Sequence, residues 1–180
     1  LKMERYYDAA EEIMDLAYMD QELWRNIVPR PFKPNLWNSI TNWLSKLFFG
    51  KNHIGKHVLA AEEVITPFAS NAFRRFLKPE EKQTYLTLFE EVYDGTTGND
   101  RFNLAIKETL KAVLISPNFL YRYEEEQPVD YAYALSNFEL ASRLSFFLWS
   151  TFPDKELFEV AYRENLQDPA VLRKQVKRML

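Results

Sequence analysis

Few residues in this chain have the types and spacing that chemistry needs. His53 and His57 are the only histidines, four apart in H-I-G-K-H. On a helix that spacing sets both imidazoles on one face, as a metal or an axial haem ligand pair would require. Gly55 between them weakens a helix. No acid follows before Glu62 to complete a site or orient a ring. The favoured reading is therefore two solvent-facing histidines near a helix start, with no metal site. No serine stands in a G-x-S-x-G setting. The chain has no cysteine, which removes disulfides, thiolate catalysis, Cys-based zinc sites and C-x-x-C-H attachment from this segment. Acids come in neighbouring sets: Glu11 and Glu12, Glu62 and Glu63, Glu80 and Glu81, Glu90 and Glu91, and Glu124 to Glu126. Adjacent acids on a helix diverge, so these read as solvated faces. A glycosidase would need two carboxyls opposed at roughly 5 to 10 Å, which only a fold can arrange. The expectation is no catalytic residue and no metal ligand.

One segment is unusual in charge. Residues 23–61 contain no acid but hold Arg25, Arg30, Lys33, Lys46, Lys51 and Lys56. That local +6 leaves −9 for the rest of a chain whose net charge is −3. Within it lie Trp37, Ile40, Trp43, Leu44, Leu47, Phe48 and Phe49. A basic aromatic helix over 36–49 would suit a membrane surface, an acidic partner or a polysaccharide. Exposing so many large apolar groups is costly. The favoured reading is a core helix whose positive rim meets Glu11, Glu12, Asp15 and Glu62. The near-neutral whole argues against a nucleic-acid binder.

The elements that must carry these residues are helices. Only four glycines are present and no run alternates like a strand. Residues 4–20 place Tyr7, Ala10, Ile13, Met14 and Ala17 on one face. Pro29, Pro31 and Pro34 form a proline-rich link. A helix from Lys56 should kink or restart at Pro67 and end near Phe76 and Leu77. Pro79-Glu80-Glu81 is a helix start, followed by a stripe of Tyr85, Leu88, Phe89, Val92 and Tyr93. Residues 94–100 read as a loop. Phe102, Ile106, Leu110, Val113 and Leu114 carry the next helix to Ser116-Pro117. Asn118 to Tyr123 is a short aromatic segment, and 124–130 an exposed acidic link. Pro153-Asp154 and Asp168-Pro169 open the last two helices.

Between those links lies a strongly apolar helix. Ser136 and Glu139 have capping-box spacing, with Leu135 and Leu140 at the staple positions. Leu140, Ala141, Leu144, Phe147 and Leu148 then form a stripe expected in the core. Glu139 and Arg143 lie one turn apart and can pair. The chain is thus expected to be all-α, an irregular bundle of about seven to nine helices. The expected division is 1–35, 36–130 and 131–180. No run of 18 apolar residues exists to span a bilayer. The helical pattern still running at Arg178-Met179-Leu180, and a start at Leu1 rather than methionine, suggest a piece of a longer polypeptide.

Three phrases carry a resemblance: F-A-S-N-A-F-R-R-F-L-K-P-E-E at 68–81, L-I-S-P-N-F-L-Y-R-Y-E at 114–124, and L-A-S-R-L-S-F-F-L-W-S-T-F-P-D-K-E-L at 140–157. In that order, over roughly residues 57–180, the chain resembles helical domains of unknown function in large exported proteins of Planctomycetes and related bacteria. Those proteins often also carry a cytochrome c domain. Phe76 stands where that pattern has proline. The resemblance implies a periplasmic or envelope setting. It implies haem c elsewhere in the polypeptide, and other domains or a periplasmic redox partner as neighbours. It supplies no catalytic residues. Arg74, Arg75, Arg122 and Arg143 fall within the matched phrases. Each could hold a propionate, a sugar acid or a phosphate, or equally pair with Glu80, Glu124 or Glu139. The leading expectation is a non-catalytic structural or interaction module. One alternative is part of a redox or polysaccharide-acting enzyme completed by other segments. Another is a membrane-surface or partner-docking module working through 36–49.

Overall fold

The computed structural model describes residues 2–28, 55–121, 134–163 and 166–180. Among these the protein is all-α, with nine helices and no strand. The expected helix over 36–49, the acidic link at 124–130 and the boundaries at 35/36 and 130/131 lie outside the described residues. The helices are α1 Lys2–Met19, α2 Gln21–Ile27, α3 Lys56–Phe73, α4 Pro79–Gly95, α5 Arg101–Leu114, α6 Pro117–Leu120, α7 Asn137–Trp149, α8 Lys155–Tyr162 and α9 Pro169–Met179. None of the described helices is long and apolar enough to cross a membrane. They divide into two compact units: Leu1–Ala72 with Leu77–Leu120, and Phe73–Phe76 with Tyr121–Leu180.

Caps set most helix starts, because the first turn of a helix leaves N–H groups without partners. Asp20 accepts from the N–H groups of Glu22 and Leu23 at 2.9 and 3.0 Å to open α2. Pro79 begins α4, and Glu81 reaches back to the Lys78 N–H at 2.9 Å. The box at α7 is complete: Glu139 N–H donates to Ser136 Oγ at 3.2 Å, and Ser136 N–H to Glu139 Oε2 at 2.8 Å. Asp154 caps α8 through Leu157 N–H at 2.9 Å. Asp168 caps α9 through Ala170 N–H at 2.7 Å.

In the first unit α5 packs between α4 and α1, and α2 folds back on α1. Met14, Trp24, Val28, Val58, Ala61, Ile65, Leu86, Phe89, Phe102, Ile106 and Leu110 form the core. Each large member of such a set stabilises by about 1.5–3 kcal/mol through burial. In the second unit α7 packs on α8 and α9 around Ala141, Leu157, Ala161, Leu166 and Met179. Gln167 ties the turn before α9 to the start of α7, donating from N–H to Asn137 Oδ1 at 3.0 Å and from Nε2 to the Leu135 carbonyl at 2.7 Å.

Several sequence expectations need correction. α3 runs on through Pro67 without a restart, and it ends at Phe73. Val64, Ile65 and Ala69 around the proline are buried. Their burial outweighs the roughly 3 kcal/mol that a proline costs a helix interior. On α1 the buried arc is Ala10, Met14 and Ala17, while Ile13 is exposed and Tyr7 partly so. Phe147 is not in a core: it is 84% exposed. Small residues decide this, since Ala141 and buried Ser145 let α7 approach its neighbours closely on one arc. Phe147 lies two residues beyond Ser145, about 200° round the helix.

Candidate functional site

Three polar constellations stand out, each inside one unit. The first surrounds His57, on the opening turn of α3. The ring is buried, not facing solvent, and it stacks on Tyr93 of α4 with centroids 4.4 Å apart. Phe89, one turn before Tyr93, lies 6.3 Å from the imidazole. Arg101, the first residue of α5, sets its guanidinium 4.2 Å from the Tyr93 centroid. Burial pushes the Tyr93 phenol up, against the opposing pull of Arg101. Ring stacking and the cation over the Tyr93 face thus tie the starts of α3 and α5 to α4. His53 lies outside the described residues. Among the described residues no three His, Asp or Glu side chains gather as metal ligands.

The second constellation is a polar seam between α1 and α5. Lys111, buried on α5, reaches Glu108 at 2.5 Å, Glu11 at 3.5 Å and the Tyr7 hydroxyl at 3.2 Å. One turn earlier Lys107 binds Asp15 at 2.6 Å and lies over the Tyr18 ring. At the start of α5, Asp100 accepts from the Tyr18 hydroxyl and from Asn103 Nδ2, the latter at 2.6 Å. Asn103 Oδ1 in turn accepts from the Trp24 indole at 3.3 Å. Burial alone would lower the Lys111 pKa, but hydrogen bonds from its ammonium to Glu108 and Tyr7 outweigh that and raise it. Sequence reading missed this seam. Its signal was the matched four-residue spacing of Glu11 and Asp15 on one helix and of Lys107 and Lys111 on the other.

The third lies in the second unit. Arg178 binds Asp154 and approaches Glu156 at 3.2 Å. Its Nε also donates to Gln175 Oε1 at 2.9 Å, and Gln175 Nε2 to Glu156 Oε1 at 3.1 Å. The guanidinium sits 5.5 Å from the Trp149 ring, whose Nε1 donates to the Met179 carbonyl at 2.8 Å.

The arginines of the matched phrases go different ways. Arg74 is buried with φ 59°, donates from Nη2 to the Tyr121 carbonyl at 2.9 Å, and lies 5.6 Å from the Phe152 centroid. Arg75 donates from Nη1 to the Phe76 carbonyl at 3.1 Å. Arg143 is on the exposed face of α7, and Arg122 lies outside the described residues. Phe76, in the place of the expected proline, meets Phe138, Phe158 and Tyr162 edge-on at 4.8–5.6 Å. Three of the four acids expected to face the basic segment pair within the first unit: Glu11 with Lys111, Asp15 with Lys107 and Glu62 with Lys82 at 2.8 Å. Residues 36–49, with Trp37, Trp43 and Phe48, lie outside the described residues.

Fold and polar clusters together define an all-α protein of two helical units, each with its own apolar core and its own ion-pair network. Residues 60–124 match the family described as PSD5, a protein of unknown function (DUF1595). Residues 135–180 match PSD4, also a protein of unknown function (DUF1592). The second match falls wholly within the second unit, and the first mostly within the first. Neither a curated protein nor a solved structure matches the sequence.

Proposed function

We propose that this chain is a non-catalytic interaction module of a larger exported bacterial protein, packed beside a haem c domain in the periplasm or envelope. The use made of its cations carries the reading. Lys107, Lys111 and Arg178 hold acids of their own unit, Arg74 holds a carbonyl, and Arg101 covers a ring. Such groups fix helix to helix, which is what a scaffold needs and a substrate site does not. The two matched families carry no assigned reaction, in keeping with that reading. The setting beside haem follows from the resemblance of the phrases at 68–81, 114–124 and 140–157.

The test uses the natural full-length polypeptide, matured in a host that attaches haem c. Expected are the absorption bands of haem c, together with chemical crosslinks from lysines of this chain to the haem-bearing domain. A polypeptide without those bands, or crosslinks that never join the two parts, overturns the proposal.

A further inference from the structure

We infer that the outward face of α1 is a docking surface for a basic amphipathic helix of a partner protein. This rests on the interaction reading and narrows it to one face. Tyr6, Ala9, Ile13 and Leu16 recur at 3-4-3 spacing, within an arc of about 80°, and all four are exposed. Ile13 is 55% and Leu16 61% exposed, and Met19 at 76% and Leu23 carry the apolar line into α2. The spacing is that of a helix-pairing seam. An apolar line of this length is costly to leave wet and marks a contact site.

Charge selects the occupant. Residues 6–24 hold Asp8, Glu11, Glu12, Asp15, Asp20 and Glu22 and no lysine or arginine. Glu11 and Asp15 turn to Lys111 and Lys107, while Asp8, Glu12 and Glu22 are exposed. Going round α1 at 100° per residue, buried Ala10 and Ala17 border the stripe on one side, and Arg5, Glu12 and Asp8 on the other. Arg5 is the one cation among the described side chains of α1, and it stands near the N-terminal end. A second copy of α1 laid on the stripe would set acid against acid along that edge. A helix with leucine-type residues at seam positions and lysine beside them would bury the stripe and meet the acids.

The test titrates the whole chain with two synthetic three-heptad helices, one with Leu at seam positions and Lys at the flanks, the other with Glu at the flanks. Expected is binding of the Lys peptide that weakens as salt rises. The double variant Ile13→Ser/Leu16→Ser loses at least about tenfold in affinity, and Asp8→Lys/Glu12→Lys transfers the preference to the Glu peptide. Sedimentation and thermal melts of the same variants guard the reading. Four outcomes overturn it: no binding of the Lys peptide, equal binding of both peptides, a wild-type dimer that the serine variant dissolves, or a serine variant that melts well below wild type. The last would mean that the chain itself covers the stripe. Any of these leaves the crosslinking test of the wider reading untouched, and a missing haem spectrum leaves this one untouched.

Discussion

Arg178 grips Asp154 with two nitrogens, Nη1 to Oδ2 at 2.6 Å and Nη2 to Oδ1 at 2.9 Å. The pair joins the last turn of α9 to the cap of α8, since Asp154 also accepts from Leu157 N–H. Hydrogen bonds from Arg178 are the main reason the Asp154 carboxyl is held below the usual carboxylate range, and the arginine is held correspondingly up.

That pairing sets the acid limit of the second unit. A carboxylate whose folded pKa is lowered contributes stability that is complete above its unfolded value, about 4, and lost as pH falls through the lowered value. The protection of α8 and α9 amides against hydrogen exchange, relative to their intrinsic rates, should fall below about pH 4. Asp154→Asn keeps a good cap and should flatten that pH dependence. Because both side chains are partly exposed, the loss at neutral pH should be under about 1 kcal/mol. A variant whose exchange keeps the wild-type acid limb would refute the assignment.

The first unit should instead be limited by alkali. Lys111 and Tyr93 both have raised pKa values. Their contributions are complete below the unfolded values near 10 and lost as pH rises through the folded ones. Melts of the unit should be flat from neutrality to about pH 10 and fall beyond it. Lys111→Met should cost about 1 kcal/mol, because Glu108 and Glu11 are wet enough to be rehydrated. It should also reduce the alkaline fall.

Phe147 and Leu157 make a matched contrast in denaturant unfolding. Phe147→Ser should change stability by less than about 0.5 kcal/mol, as exposed positions do. Leu157→Ala, at a fully buried site, should cost about 2–5 kcal/mol. Equal effects would mean that Phe147 is covered.

Ser150 ends α7 with φ 55°, its N–H donating to the Phe146 carbonyl. A side chain in that left-handed region is strained. Ser150→Gly should therefore raise stability by up to about 1 kcal/mol. Arg74 shares the sign of φ, yet Arg74→Gly should not gain, because it forfeits the Tyr121 carbonyl and the Phe152 ring. Thermal melts of the two glycine variants check both.

Local grammar was legible before any fold. The boxes at Ser136/Glu139 and the caps at Asp154 and Asp168 depend on residues three apart, and the structure forms each of them. The all-α class followed from periodicity in the same way. What tertiary structure decided was which arc of each helix met a neighbour. α1 carries apolar residues on more than one arc, so spacing alone placed Ile13 inside, whereas the arc that is buried is Ala10, Met14 and Ala17. α7 is apolar nearly all round, and the choice of the Ala141–Ser145 side, which leaves Phe147 in water, came from how closely small residues let helices approach. His57 was read from its neighbours in the chain as wet, and it is buried because Tyr93, thirty-six residues on, supplies the surface it stacks against. The seam of Lys107 and Lys111 with Asp15 and Glu11 spans about ninety to a hundred residues of chain. Each partner was visible by itself, but only packing could say which acid each lysine would meet.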